Sequence, residues 1–104
     1  MKDFDQELRM KAVMFKALAH PARLAVLLYL ARIKTCITGD IAEELPLSRT
    51  TVTQHLKELR DAGLIKGTIE GAARKYCLNA EQIKKLRVEF DELMEVVDTG
   101  ISHC

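Results

Sequence analysis

Residues 40–59 read DIAEELPLSRTTVTQHLKEL. Ile41, Leu45 and Leu47 precede Ser48, and Val52, Leu56 and Leu59 follow it at helical spacing. Thr38 can cap a first helix that Pro46 stops, and Ser48 can cap a second. A short helix, a break of about three residues and a longer helix is the layout of a helix-turn-helix, whose second helix enters the DNA major groove. Opposite the buried stripe stand Thr50, Thr53, Gln54, Lys57 and Asp61, with Arg49 beside Ser48 at the N-terminal end. Thr, Gln, Arg and Lys hydrogen-bond base edges and phosphates. Glu and Lys are stronger helix formers and would better suit an idle surface.

Downstream, Gly63 ends the second helix, and Leu64 is placed for the apolar contact that follows a glycine cap. Two β segments, Leu64–Glu70 and Lys75–Leu78, flank a turn at Gly71-Ala-Ala-Arg74. A hairpin directly after a recognition helix makes a winged helix, here with Lys66, Arg74 and Lys75 near its tip. A last helix from about Ala80 to Thr99 spaces Ile83, Leu86, Phe90, Leu93 and Val97 close to a heptad seam. The tail 100–104 reads as frayed.

Upstream, a first helix carries two apolar stripes, Leu8, Ala12, Phe15 and Ala19 beside Met10, Met14 and Leu18. That surface is wider than one small core needs. Pro21 suits the first position of the next helix, whose core face reads as Leu24, Leu27, Leu28 and Ala31. The expected fold is mainly α: a single winged helix-turn-helix domain over 1–104, with five helices and a two- to three-stranded β-wing. Within it 40–62 is the helix-turn-helix and 64–78 the wing, while 1–19 and 80–99 hold a dimer together.

With 104 residues, 48% of them hydrophobic, the chain is long enough for one core and too short for a barrel or two-domain enzyme. No Gly-rich phosphate loop, nucleophile–base pair or His-Glu-x-x-His pattern occurs, so no enzyme is expected. The longest apolar run, Leu24–Ala31, falls short of the about 18 residues a membrane span needs. The acidic N-terminus does not resemble a secretory signal, and the reading is a cytoplasmic protein with no membrane partner.

The net charge of +1 is uninformative, but its distribution is not. Residues 1–35 hold seven basic and three acidic groups, 65–79 three and one, and 80–104 three and six. The acidic last helix therefore suits a dimer seam rather than DNA. Candidate DNA-binding residues are Ser48, Arg49, Thr50, Thr53, Gln54, Lys57, Arg74 and Lys75. Gln54 and Arg49 are assigned to base edges, with Thr50 and Thr53 beside them. Lys57, Arg74 and Lys75 are assigned to phosphates, with Arg23 and Arg60 as further sources of charge.

The chain resembles the ArsR/SmtB family of metal- and stress-responsive repressors. The resemblance lies in Leu18-Ala-His-Pro-Ala-Arg-Leu24, Asp40-Ile-Ala-Glu-Glu-Leu45, Leu47-Ser-Arg-Thr-Thr-Val-Thr-Gln-His-Leu56, Leu59-Arg-Asp-Ala-Gly-Leu-Ile65 and Tyr76-Cys-Leu78, spanning roughly 8–97. It implies a homodimer bound to an imperfect inverted repeat of double-stranded operator DNA and released by an inducer. Many members keep Cys-Val-Cys at the start of the third helix, where this chain has Cys36-Ile-Thr-Gly-Asp40. The zinc site of other members is not expected, because 80–99 holds no histidine. Pro46 replaces the usual turn glycine.

No cofactor is required by this reading. Cys36, Cys77 and Cys104 are the candidate metal ligands, as a thiolate site for As(III) or Sb(III). Cys36 before the third helix and Cys77 in the second wing strand are expected to face each other, with Cys104 as a third sulfur. Two alternatives stay open: a thiol-redox pair, and a winged-helix interaction module that binds no DNA. His20 reads as a capping residue, His55 as packed or phosphate-facing, and His103 as part of the tail.

Overall fold

The computed structural model describes residues 3–39 and 41–101, and builds a mostly helical fold around one small sheet. Helices α1 (Gln6–Ala17) and α2 (Pro21–Ile33) come first, then strand β1 (Ile37–Thr38) and a 3-10 turn at Ala42–Glu44. Helix α3 (Arg49–Asp61), strands β2 (Ile65–Thr68) and β3 (Lys75–Leu78), and helix α4 (Ala80–Thr99) complete the chain. The sheet is antiparallel in the order β1-β3-β2, with Ile37 opposite Tyr76 and Lys66 opposite Cys77.

Local chemistry explains the boundaries of α3. The Ser48 hydroxyl accepts from the Thr51 N–H at 3.2 Å, satisfying one of the open donors of the first turn. At the other end Gly63 adopts φ +81°, its N–H reaches the Arg60 carbonyl at 2.8 Å, and the Leu64 N–H reaches the Leu59 carbonyl at 3.0 Å. This is a Schellman closure, and Leu59 and Leu64, which flank it, are both fully buried. Asn79 caps α4 by accepting from the Gln82 N–H. In the hairpin, Gly67 at φ +120° lets β2 lie against β3, where a β-carbon would collide with the Lys75 carbonyl.

Two expectations are corrected. Among the described residues the fold has four α-helices and a 3-10 turn rather than five helices, because Leu45, preceding Pro46, is held extended at φ −126°, ψ 144°. Asp40, at the head of that expected helix, lies outside the described residues. The core face of α2 is Ala22, Val26 and Leu30, not Leu24, Leu27, Leu28 and Ala31. Leu24 and Leu28 are exposed, and Leu27 is partly buried. The segment PARLAVLLYLARI is apolar nearly all round, so its periodicity does not select a face.

Val26, Leu30, Ile37, Ile41, Val52, Leu56, Leu59, Leu64, Ile65 and Tyr76 form the centre of the core, joining α2, α3 and the sheet. The outer helices are less covered. α1 buries only Met14 and Ala17, α4 only Leu86, and every residue from 91 to 100 is exposed. Phe15 and Phe90 meet edge to face at 5.9 Å, and Lys11 pairs with Glu89 at 3.3 Å. The radius of gyration is 16.2 Å, above the about 13 Å expected of a compact domain this long. Among the described residues, no single helix is long and apolar enough to cross a membrane.

Candidate nucleic-acid interface and cysteine pair

Helix α3 buries Val52, His55, Leu56 and Leu59, which leaves Arg49, Thr50, Thr51, Gln54, Glu58 and Asp61 exposed on its other side. Thr53 and Lys57 sit half-buried at the margins. Ser48 is committed to capping, and its hydroxyl also meets the Thr51 hydroxyl at 2.9 Å. Gln54 donates through Nε2 to Glu58 Oε1 at 3.3 Å, one turn along the same face. The acidic Glu58 and Asp61 lie toward the C-terminal half of the helix. The N-terminal half therefore holds the neutral and basic side chains suited to base edges.

The wing joins this surface through one contact. Lys57 Nζ lies 2.7 Å from Glu70 Oε1, linking the exposed flank of α3 to the hairpin turn. That hydrogen bond, together with the lysine charge, holds the Glu70 carboxyl below the ordinary carboxylate range. Arg74 is half-buried at the turn, and Lys75 is exposed at the start of β3, opposite Thr68 on one side and Thr38 on the other. The structure thus brings Lys57 and the wing turn together, and occupies Lys57 with a carboxylate that sequence spacing did not reveal.

Arg23 is corrected from a phosphate-facing cation to a structural one. Its Nε donates to His55 Nδ1 at 3.3 Å, and its Nη1 reaches the Lys16 and Ala17 carbonyls at the end of α1. His20 caps α2, its Nδ1 accepting from the Ala22 N–H at 3.0 Å, and its ring lies 4.1 Å from that of His55. Burial first, then the charges of His20 and Arg23, lower the pKa of His55 against the opposing pull of Glu58. The cluster pins α3 to the α1–α2 corner. A signal for it was available: positions 52, 55, 56 and 59 follow the i, i+3, i+4, i+7 spacing of one buried stripe.

Cys36 and Cys77 are joined as a disulfide, with Cα atoms 4.3 Å apart and a separation of 41 positions in sequence. The strand register explains the meeting: Ile37 faces Tyr76, so one step outward places Cys36 against Cys77. Cys104 and His103 lie outside the described residues. Among the described residues, no three His, Cys, Asp or Glu side chains gather as a metal site would require.

Comparison with known proteins gives this geometry a context. A family model described as a helix-turn-helix domain matches residues 18–68. The chain is 34% identical over 84 residues to the HTH-type transcriptional regulator CmtR of Mycobacterium tuberculosis, covering 81% of this chain and 70% of that protein. It is 38% identical over 76 residues to the arsenical resistance operon repressor of Bacillus subtilis, covering 72% of this chain and 71% of the relative. The crystal structure of an ArsR family transcriptional regulator superposes with a TM-score of 0.73 at 24% identity, covering 97% of this chain and 100% of that one.

Proposed function

We propose that this chain, which belongs to the ArsR family of helix-turn-helix transcriptional regulators, is a dimeric repressor that reads an inverted-repeat operator and leaves it when an inducer binds. The observation that carries the DNA reading is the continuous surface made by the exposed face of α3 and the wing turn, linked by Lys57 and Glu70. Arg49, Thr50, Thr53 and Gln54 read base edges from the N-terminal half of α3, Arg74 and Lys75 meet phosphates, and Lys57 faces a phosphate from which its pairing with Glu70 holds it back. Ser48 contributes by fixing the start of the helix.

Dimerisation is supported by the uncovered apolar sides of α1 and α4. Phe90, Leu93 and Val97 lie exposed along α4, and Leu8, Met10 and Val13 along α1. Two copies packed through these helices would place two recognition helices on successive major grooves about 34 Å apart. A repressor of this kind acts where the DNA is, in the cytoplasm.

The inducer is a thiophilic trivalent metalloid such as arsenite, held by Cys36 and Cys77 in their reduced, thiolate form. Two features support it: the two sulfurs meet where the residue just before β1 comes against β3, and one relative is named an arsenical resistance operon repressor. Soft thiolates suit such an ion, and an ion there would act on the strand that carries the wing. It releases DNA only insofar as it binds the DNA-free form more tightly.

The test is binding to duplexes from the promoter of its own gene. Gln54→Ala should relax base preference, whereas Arg74→Ala should weaken all sequences alike and flatten the salt dependence. Arsenite should release the reduced wild type but neither Cys36→Ser nor Cys77→Ser. A protein that binds no duplex even at low salt is an interaction module and refutes the reading.

A further inference from the structure

We infer that the Cys36–Cys77 pair is a reversible redox gate, closed by an anionic low-molecular-weight disulfide, whose closure locks the regulator on DNA and removes its metalloid site. The inference rests on the thiolate-inducer reading above and adds a second chemical input at the same two sulfurs.

Three observations carry it. The sulfurs already stand within bonding reach, since the two residues face each other across strands whose register is set by Ile37 and Tyr76. Both cysteines are half-buried rather than sealed, and they open on a recess of about 450 Å³ lined also by Leu30, Ala31, Lys34, Thr35 and Leu78. Lys34, the residue that ends α2 in a left-handed conformation at φ 56°, puts a cation on the rim of that recess. A neighbouring cation favours the thiolate, the species that attacks a disulfide. It also attracts a reagent bearing carboxylates, such as oxidised glutathione.

The chemistry balances as two exchanges. One protein thiolate attacks a sulfur of the small disulfide RSSR, forming a mixed disulfide and expelling RS⁻. The second protein thiolate attacks the protein sulfur of that mixed disulfide and expels the other RS⁻. The two cysteines lose two electrons and two protons, and RSSR becomes two RSH. The new bond adds a covalent rung between the segment that follows α2 and β3, next to the backbone pairing of β1 with β3. Helix α3 and the wing turn keep their frame, so the DNA surface survives oxidation. A disulfide sulfur is no longer a thiolate and cannot hold the metalloid.

The experiment uses the full chain as Cys104→Ser, so that only this pair reports. Oxidised glutathione closes the pair, and dithiothreitol reopens it. Phenylarsine oxide, which joins two thiols with loss of water, probes the site by intact mass, and anisotropy on promoter DNA reads binding. Peptide mapping should find Cys36 linked to Cys77 after oxidation. The oxidised protein should bind DNA within about twofold of the reduced form, take up no arsenical, and regain uptake on reduction. No Cys36–Cys77 linkage, arsenical uptake by the linked form, or tenfold weaker DNA binding on linkage would each overturn the gate. Uptake by reduced protein without DNA release counts against the inducer reading alone, and leaves the redox control of the site standing.

Discussion

Glu70→Gln is the most direct probe of the DNA-facing surface. In the free protein Lys57 is held at 2.7 Å by Glu70, a carboxylate on the wing turn that would itself repel a phosphate. The substitution removes that charge and leaves the ammonium of Lys57 available. Each phosphate contact releases counterions and contributes about −0.9 to the slope of log K against log salt. One added contact per protomer steepens a dimer's slope by about 1.8. Between about 50 and 200 mM salt, the variant should then lose about 12-fold more affinity than the wild type loses, starting from tighter binding. Fold stability should change little, because the pair is largely solvent-exposed and such pairs contribute weakly. Fluorescence anisotropy on a duplex of arbitrary sequence is a sufficient assay, since phosphate contacts carry no sequence information. An unchanged slope would mean that Lys57 faces no phosphate. Weaker binding at every salt would mean that Glu70 positions the wing for DNA, which reverses its assigned effect.

Replacing Phe90 and Leu93 together with Lys puts charge on the exposed seam of α4 and should convert a dimer to monomers by light scattering; a wild type already monomeric at micromolar concentration refutes the seam. His55 has its pKa depressed in the fold, so the unfolded chain binds the proton more readily and stability should fall as pH drops through about 6.5. Thermal melts of wild type and His55→Leu across that range should diverge, and parallel curves would clear His55 of the effect. Gly67→Ala forces a β-carbon against the Lys75 carbonyl at φ +120° and should cost about 1–3 kcal/mol in urea unfolding; a neutral result would show that the hairpin relaxes freely.

The chain's local signals and its long-range contacts divide this protein cleanly. Ser48, Gly63 and Leu64 mark the ends of α3 in sequence because capping bonds join residues only a few positions apart. The spacing of Ile83, Leu86 and Phe90 likewise marks α4. Helix α3 and the wing were legible for the same reason, and so was the breadth of the apolar surface on α1 and α4, whereas the first helix of the expected pair is only a 3-10 turn. The buried face of α2 was not legible, because a helix apolar on every side is oriented only by what packs against it. Nor could sequence show that Arg23 is spent on His55, 32 residues away, and on the end of α1 rather than on DNA. The Lys57–Glu70 contact depends on how the hairpin folds back over α3, and the meeting of Cys36 with Cys77 depends on the register of β1 against β3. Residue types and spacings determine which groups can cap, pair or ligate. Which partner each charged or sulfur-bearing side chain meets is decided by tertiary packing, since that alone brings distant segments within bonding distance.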